Sequence, residues 1–93
     1  MKITVVAEIG ANWEGNIIKA KKIIRECKKS GADAVKFQIW RANDLYNTKH
    51  PSWKVIKKSE LTFNQASMLK KFADKIKIDF FCSVFFPEAV DFL

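Results

Sequence analysis

Three short apolar runs, separated by stretches of helical periodicity, constrain this chain most. Ile3 to Ile9 is continuous, contains β-branched residues and is ended by Gly10. A run without strict alternation suits a strand covered on both faces, as in a parallel sheet. Asp33 to Ile39 and Ile78 to Val84 are the second and third strand candidates. Ala11 to Gly15 reads as a loop, with Asn12 and Gly15 as turn formers. From Asn16 the pattern turns helical. Ile17, Ala20, Ile24 and Cys27 recur at three- and four-residue steps, joined by Ile23. Asn16 suits an N-cap, and Gly31 supplies the left-handed residue that commonly follows a helix, so the helix is predicted to run to about Ser30.

Trp40 to Glu60 is the least regular stretch. It holds the turn-prone Asn43, Asp44, Asn47, Pro51 and Ser52, with a short helix expected over Lys54 to Lys58. Connections this long inside a compact domain are often functional. Thr62 and Gln65 have capping-box spacing. The helix that follows is predicted to bury Phe63, Ala66, Leu69, Phe72, Ala73 and Ile76. A further helix is expected to begin at Phe86 and run on to Leu93, with Pro87 in its first turn. The order β-α-β-(loop)-α-β-α implies an α/β fold with parallel strands and right-handed crossovers.

Ninety-three residues allow one domain at most. With 48% hydrophobic and 29% charged residues, the composition excludes a disordered tail or a collagen-like chain. No apolar run reaches the ~18 residues of a membrane span. Lys2, a short apolar run and then Glu8 do not make a secretory signal. The net charge of +7 raises a nucleic-acid-binding reading. The lysines are spread over the polar sides of the expected helices, however, and neither an RNA-binding aromatic pattern nor zinc-finger spacing is present. A solvated basic exterior is the preferred reading, and nucleic acid is not the expected partner. Cys27 and Cys82 form no CxxC; both fall in apolar patterns and read as small hydrophobes. Reduced, buried thiols suit a cytoplasmic protein, although a disulfide is left open.

In a parallel α/β sheet, ligands gather at the carboxyl ends of the strands. Glu8 closes the first candidate strand, Lys36 and Gln38 lie near the end of the second, and Ser83 closes the third. Alternation puts Lys36 and Gln38 on one face and Val35 and Phe37 on the other. The apolar pair is expected to pack under helices, leaving the polar pair in a barrel interior or cleft. A buried lysine is costly unless an anion pairs with it. Glu8 supplies that charge, or a bound phosphate or carboxylate does. A structural Lys36–Glu8 ion pair without catalysis fits the residues equally well. Trp13 and Trp40 follow strand ends; packing beneath loops is the preferred reading, and lining the same mouth is the alternative. His50, the single histidine of the chain, is a poor metal-site signal and reads as a surface residue.

Ala7-Glu8-Ile9-Gly10-Ala11-Asn12-Trp13-Glu14-Gly15 resembles the opening of the sialic acid synthase family, usually AEIG-x-NH-x-G. Gly31 to Gln38 is similar to its GADAVKFQ signature. Glu60-Leu61-Thr62-Phe63 is similar to its ELS/TF segment, and Ile78 to Ser83 resembles its third strand, which usually continues as STPFD. The blocks occur in order across almost the whole chain. The resemblance implies the first three βα units of a TIM (β/α)8 barrel. Such a barrel needs roughly 250 residues, so the chain is expected to be a truncated N-terminal portion.

The family condenses phosphoenolpyruvate with an N-acetylated amino sugar aldehyde, releasing phosphate and forming a sialic-type nine-carbon 2-keto acid. The resemblance further implies a divalent metal, Mn²⁺ or Mg²⁺, acting as Lewis acid, with its ligands outside this chain. A homodimer is expected for the full-length enzyme. Lys36 is implied to hold phosphoenolpyruvate, Gln38 to line the site and Ser83 to belong to the phosphate-side wall. Glu8 is implied as the catalytic carboxylate, with Asn12 and Trp13 lining the mouth. Trp13 stands where the family has histidine, Val84 where it commonly has threonine, and Phe85 and Pro87 where it has Pro and Asp. Two readings compete with the enzyme: a basic α/β module that binds an anion or nucleic acid, and a non-catalytic remnant completed by another chain.

Overall fold

The computed structural model describes residues 3–10, 12–42 and 47–84. The element order is β1 (Val6–Gly10), α1 (Ile17–Lys29), β2 (Ala34–Ile39), α2 (Trp53–Lys58), α3 (Phe63–Ile76) and β3 (Asp79–Val84). The helix expected from Phe86, with Phe85 and Pro87, lies outside the described residues.

The strands form one sheet in the order β1-β2-β3, and both pairings are parallel. The ladder matches Val6 with Ala34 and Glu8 with Lys36, then slips at Gly10, which pairs with Phe37. On the other side of β2, Lys36 matches Phe81 and Gln38 matches Ser83. Asp33 ties the strand entries together. Its carboxylate accepts the Val5 N–H at 2.8 Å, its own N–H donates to the Val5 carbonyl at 2.8 Å, and its carbonyl accepts from Asp79 N–H at 3.2 Å.

The helices start and stop where their caps dictate. The Asn16 side chain accepts the Lys19 N–H and opens α1. Ser30 closes it, and Gly31 follows at φ +94°. Lys28 and Lys29 sit in the last turn, where cations oppose the negative end of the helix dipole. At α3, Thr62 and Gln65 form both bonds of a capping box, which satisfies two otherwise orphaned donors. Lys28 of α1 donates its ammonium to the Lys77 carbonyl at 3.0 Å and joins the C-terminal ends of the two helices. Lys21 and Arg25 lie over the Phe72 ring and extend that contact.

One face of the sheet is packed. Val35, Phe37 and Ile39 from β2 meet Ala20 and Ile24 of α1 and Ala66, Leu69 and Ala73 of α3 in a single core. Phe37 stacks on Phe80 with ring centroids 5.3 Å apart. The partly buried Phe63, Phe72 and Ile76 rim this core, as α3's periodicity predicts. On the other face Glu8 and Phe81 are exposed and Lys36, Gln38 and Ser83 are half-buried, while the small Ala34 is buried. This corrects the reading of Ile3 to Ile9 as a run covered on both faces. The strand begins only at Val6, and Ile3, Val5 and Val6 are exposed because β1 is an edge whose outer flank has no described partner strand. Val5, Ala7, Ile18, Ile23 and Cys27 line an apolar groove along that flank.

Cys27 and Cys82 are free thiols and form no disulfide with each other. Both lie on the packed side of the sheet. Burial pushes the Cys82 thiol up to about 11. Burial, with the Glu26 carboxylate beside it, also raises Cys27. Only the thiolate is nucleophilic. Alkylation of Cys82 by iodoacetamide at pH 8 is therefore expected to be about a hundredfold slower in the folded chain than in denaturant. Equal rates would contradict the burial. The unfolded thiol ionises first as pH rises, so this contribution to stability holds below the ordinary thiol range and is lost as pH climbs toward 11.

Candidate active site

Sheet alternation collects the polar strand residues on the open face. β2 is buried at every position except Lys36 and Gln38. Register then fixes their neighbours: Glu8 beside Lys36, and Ser83 beside Gln38. The four residues expected at the strand ends thus come from three strands onto one surface. Glu8 lies in mid-strand rather than closing β1, since the strand continues to Gly10.

The Lys36 ammonium stands 3.4 Å from the Glu8 carboxylate, with side chains 37% and 61% exposed. The Gln38 amide lies beside Gly10, where a Cβ would approach it to 3.8 Å, so the missing side chain leaves the amide accessible at the end of β1. One cation, one carboxylate, one amide and one hydroxyl therefore share an open surface. Together they can hold a small anion at Lys36, orient hydroxyl groups on Gln38 and Ser83, and receive or return a proton at Glu8.

The two candidate mouth residues separate. Asn12 is exposed in the turn after β1, its N–H donating to the Ile9 carbonyl at 3.0 Å. Trp13 is 1% exposed and belongs to the core, which agrees with the preferred packing reading and corrects the alternative that it lines the mouth. Its indole is too large an apolar surface to leave in water when the α1 entry covers it. Trp40 is buried as well. His50 is exposed, and its Nδ1 accepts the Ser52 N–H at 3.0 Å.

Two residues of this region have placements that the sequence does not announce. Phe81 is 52% exposed on the open face, in register with Lys36. The alternation Asp79, Phe81, Ser83 points to that face, but an apolar residue in an apolar run reads as core. Glu60 is the second. Its carboxylate is 18% exposed, accepts the Ala42 N–H at 2.5 Å and pairs with Lys57 at 2.9 Å. Glu60 lies 18 positions after Ala42, across a turn-rich stretch and α2, so no local pattern announces the contact.

Among the described residues no group of three His, Cys, Asp or Glu side chains can hold a metal ion, and no helix is long and apolar enough to cross a membrane. Residues 23–93 match the NeuB family. The chain is 36% identical to an uncharacterized protein of Methanocaldococcus jannaschii over 96% of its own length and 26% of that protein's. It is 30% identical to the N,N'-diacetyllegionaminic acid synthase of Legionella pneumophila over its full length, which is 30% of that enzyme. The fold superposes on the N-acetylneuraminic acid synthetase of Leptospira borgpetersenii serovar Hardjo-bovis, solved in complex with citrate, with a TM-score of 0.91 and 25% identity. That match covers all of this chain and 33% of the other. The chain thus spans between a quarter and a third of the length of the relatives it matches. The Ala7 to Gly15 block precedes the family match but falls within the full-length similarity to the Legionella synthase. The chain belongs to the NeuB family.

Proposed function

We propose that these residues form the first three βα units of a TIM barrel, the N-terminal portion of an enzyme that makes a sialic-type acid. Phosphoenolpyruvate and an N-acetylated amino sugar aldehyde are its substrates. The observation that carries this reading is the open sheet face with Glu8, Lys36, Gln38 and Ser83 in adjacent register. A barrel interior provides a reason for that face to be polar and open. The outer flank of β1, which has no described partner strand, and its apolar groove suit the closing βα unit of such a barrel. The names of the relatives, sialic acid and legionaminic acid synthases, support the same product class.

In this reading Lys36 holds the negative charge of phosphoenolpyruvate. An exposed ion pair is worth only about 0–1 kcal/mol, so pairing with Glu8 alone is a weak reason to keep an ammonium on the central strand. An anionic substrate is a stronger one. The methylene carbon of phosphoenolpyruvate forms the new bond to the aldehyde carbon, whose oxygen takes up a proton. Water adds to the oxocarbenium-like carbon that results. Loss of inorganic phosphate then leaves the 2-keto acid. Glu8 is placed to orient hydroxyls or to take the proton of that water, while Gln38 and Ser83 donate to substrate oxygens.

A divalent metal, Mn²⁺ or Mg²⁺, and a homodimer belong to the same proposal, as does a cytoplasmic location. The ligands of that metal are assigned, in the same proposal, to parts of the enzyme beyond these residues. The complete polypeptide that carries this sequence is expected to release phosphate from phosphoenolpyruvate only when an N-acetylated amino sugar is supplied. A 2-keto acid should form in equal amount. Phosphate release indifferent to a panel of such sugars, or none with any of them, would overturn the reading.

A further inference from the structure

We infer that Glu60 is a positioning residue for the outer part of the proposed site, acting through the connection that leaves β2. The inference rests on the reading of the open face as a substrate site. Ala42 is fully buried, and its N–H needs an acceptor away from water. Glu60 supplies one at 2.5 Å, from the residue two before the α3 cap at Thr62. The same carboxylate is held from its other oxygen by Lys57 at 2.9 Å, on the last turn of α2. One side chain thus fixes the start of a long connection to its end. Beside that connection, the Ser59 hydroxyl donates to the Val55 carbonyl at 2.9 Å and steadies the C-terminal end of α2.

The consequence for the site comes from depth along β2. Gln38 is the polar position nearest the strand end, Lys36 lies one pleat deeper, and the connection follows Ile39 at once. Trp40 and Ala42, both buried, begin that connection just beyond Gln38 in the chain. In the proposed reading a substrate held at Lys36 lies deeper along β2, and the second, larger substrate lies nearer this connection. Displacing Ala42 therefore disturbs the outer substrate more than the inner one. The outer substrate in this reading is the amino sugar.

The test uses Glu60→Ala and Glu60→Gln in the complete polypeptide. Glu60→Gln keeps an acceptor for the Ala42 N–H but gives up the charge toward Lys57. Hydrogen exchange reports the tie independently of activity. Glu60→Ala is expected to speed exchange of the Ala42 amide about tenfold, with Glu60→Gln restoring most of the protection. Kinetics report the positioning. Glu60→Ala is expected to raise the KM for the amino sugar about tenfold, leave that for phosphoenolpyruvate within a factor of about two, and be rescued in part by Glu60→Gln. Unchanged Ala42 exchange in Glu60→Ala overturns the inference. So does faster exchange with both KM values unchanged, or a fall in kcat alone. An inactive wild-type polypeptide in which the exchange pattern holds would instead remove the synthase reading, and with it the substrate assignment, while leaving the Glu60–Ala42 tie in place.

Discussion

Gly15→Ala is expected to lower the stability of this fold by about 3 kcal/mol. Two effects add. Gly15 sits at φ +72°, where a Cβ strains the backbone by about 1–2 kcal/mol. The new methyl would also lie 2.2 Å from the Lys58 carbonyl oxygen and 2.8 Å from the Lys58 Cγ. The carbonyl is backbone at the last residue of α2, so it cannot swing aside as a side-chain tip would. Relief requires the β1–α1 turn and α2 to separate. Gly31→Ala is the internal control. Its φ of +94° brings the same kind of backbone strain, but nothing lies within 4 Å of the added methyl. Thermal unfolding followed by circular dichroism should show a fall of roughly 15 °C for Gly15→Ala and less than half of that for Gly31→Ala. Equal, small shifts would mean that the turn and α2 do not meet as described.

Lys36→Ala is expected to act on substrate use and hardly at all on folding. The ammonium is 37% exposed and its partner Glu8 is 61% exposed, so losing their contact removes little stability and strands no buried charge. Binding is another matter. A hydrogen bond to a charged group is worth about 1.5–3 kcal/mol, and losing one contact of that size weakens affinity about thirtyfold. The position also lacks a substitute cation on the same strand, because its same-face neighbours on β2 are Ala34 and Gln38. The loss should therefore fall on phosphoenolpyruvate, the charged substrate, and leave the neutral sugar less affected.

The alternation of Lys36 and Gln38 with Val35, Phe37 and Ile39 is legible in the order of residues alone. A pleated strand can place those two sets only on opposite faces. The caps are legible for a similar reason. Asn16 and the Thr62–Gln65 pair act over three residues, within reach of local sequence. Register is not legible. Opposite charge names Glu8 as a partner for Lys36, but the order of residues does not set how β1 and β2 slide during pairing, which is what matches them position for position. Trp13 shows the limit from the other side. Its place after a strand end suits either a mouth or a core; its size favours packing, and the structure puts it in the core. The Gly15 approach to Lys58 and the Glu60 bond to Ala42 depend on where a long irregular connection returns, which no periodicity encodes.

The claim that the open sheet face takes phosphoenolpyruvate stands or falls on Lys36. The most direct measurement is the KM for phosphoenolpyruvate of the complete polypeptide, with and without Lys36→Ala, at saturating amino sugar. Circular dichroism should confirm that the fold is unchanged. A rise of about thirtyfold is the expected result. A KM that stays within a factor of about two in a folded variant would contradict it and return Lys36 and Glu8 to the status of a surface ion pair.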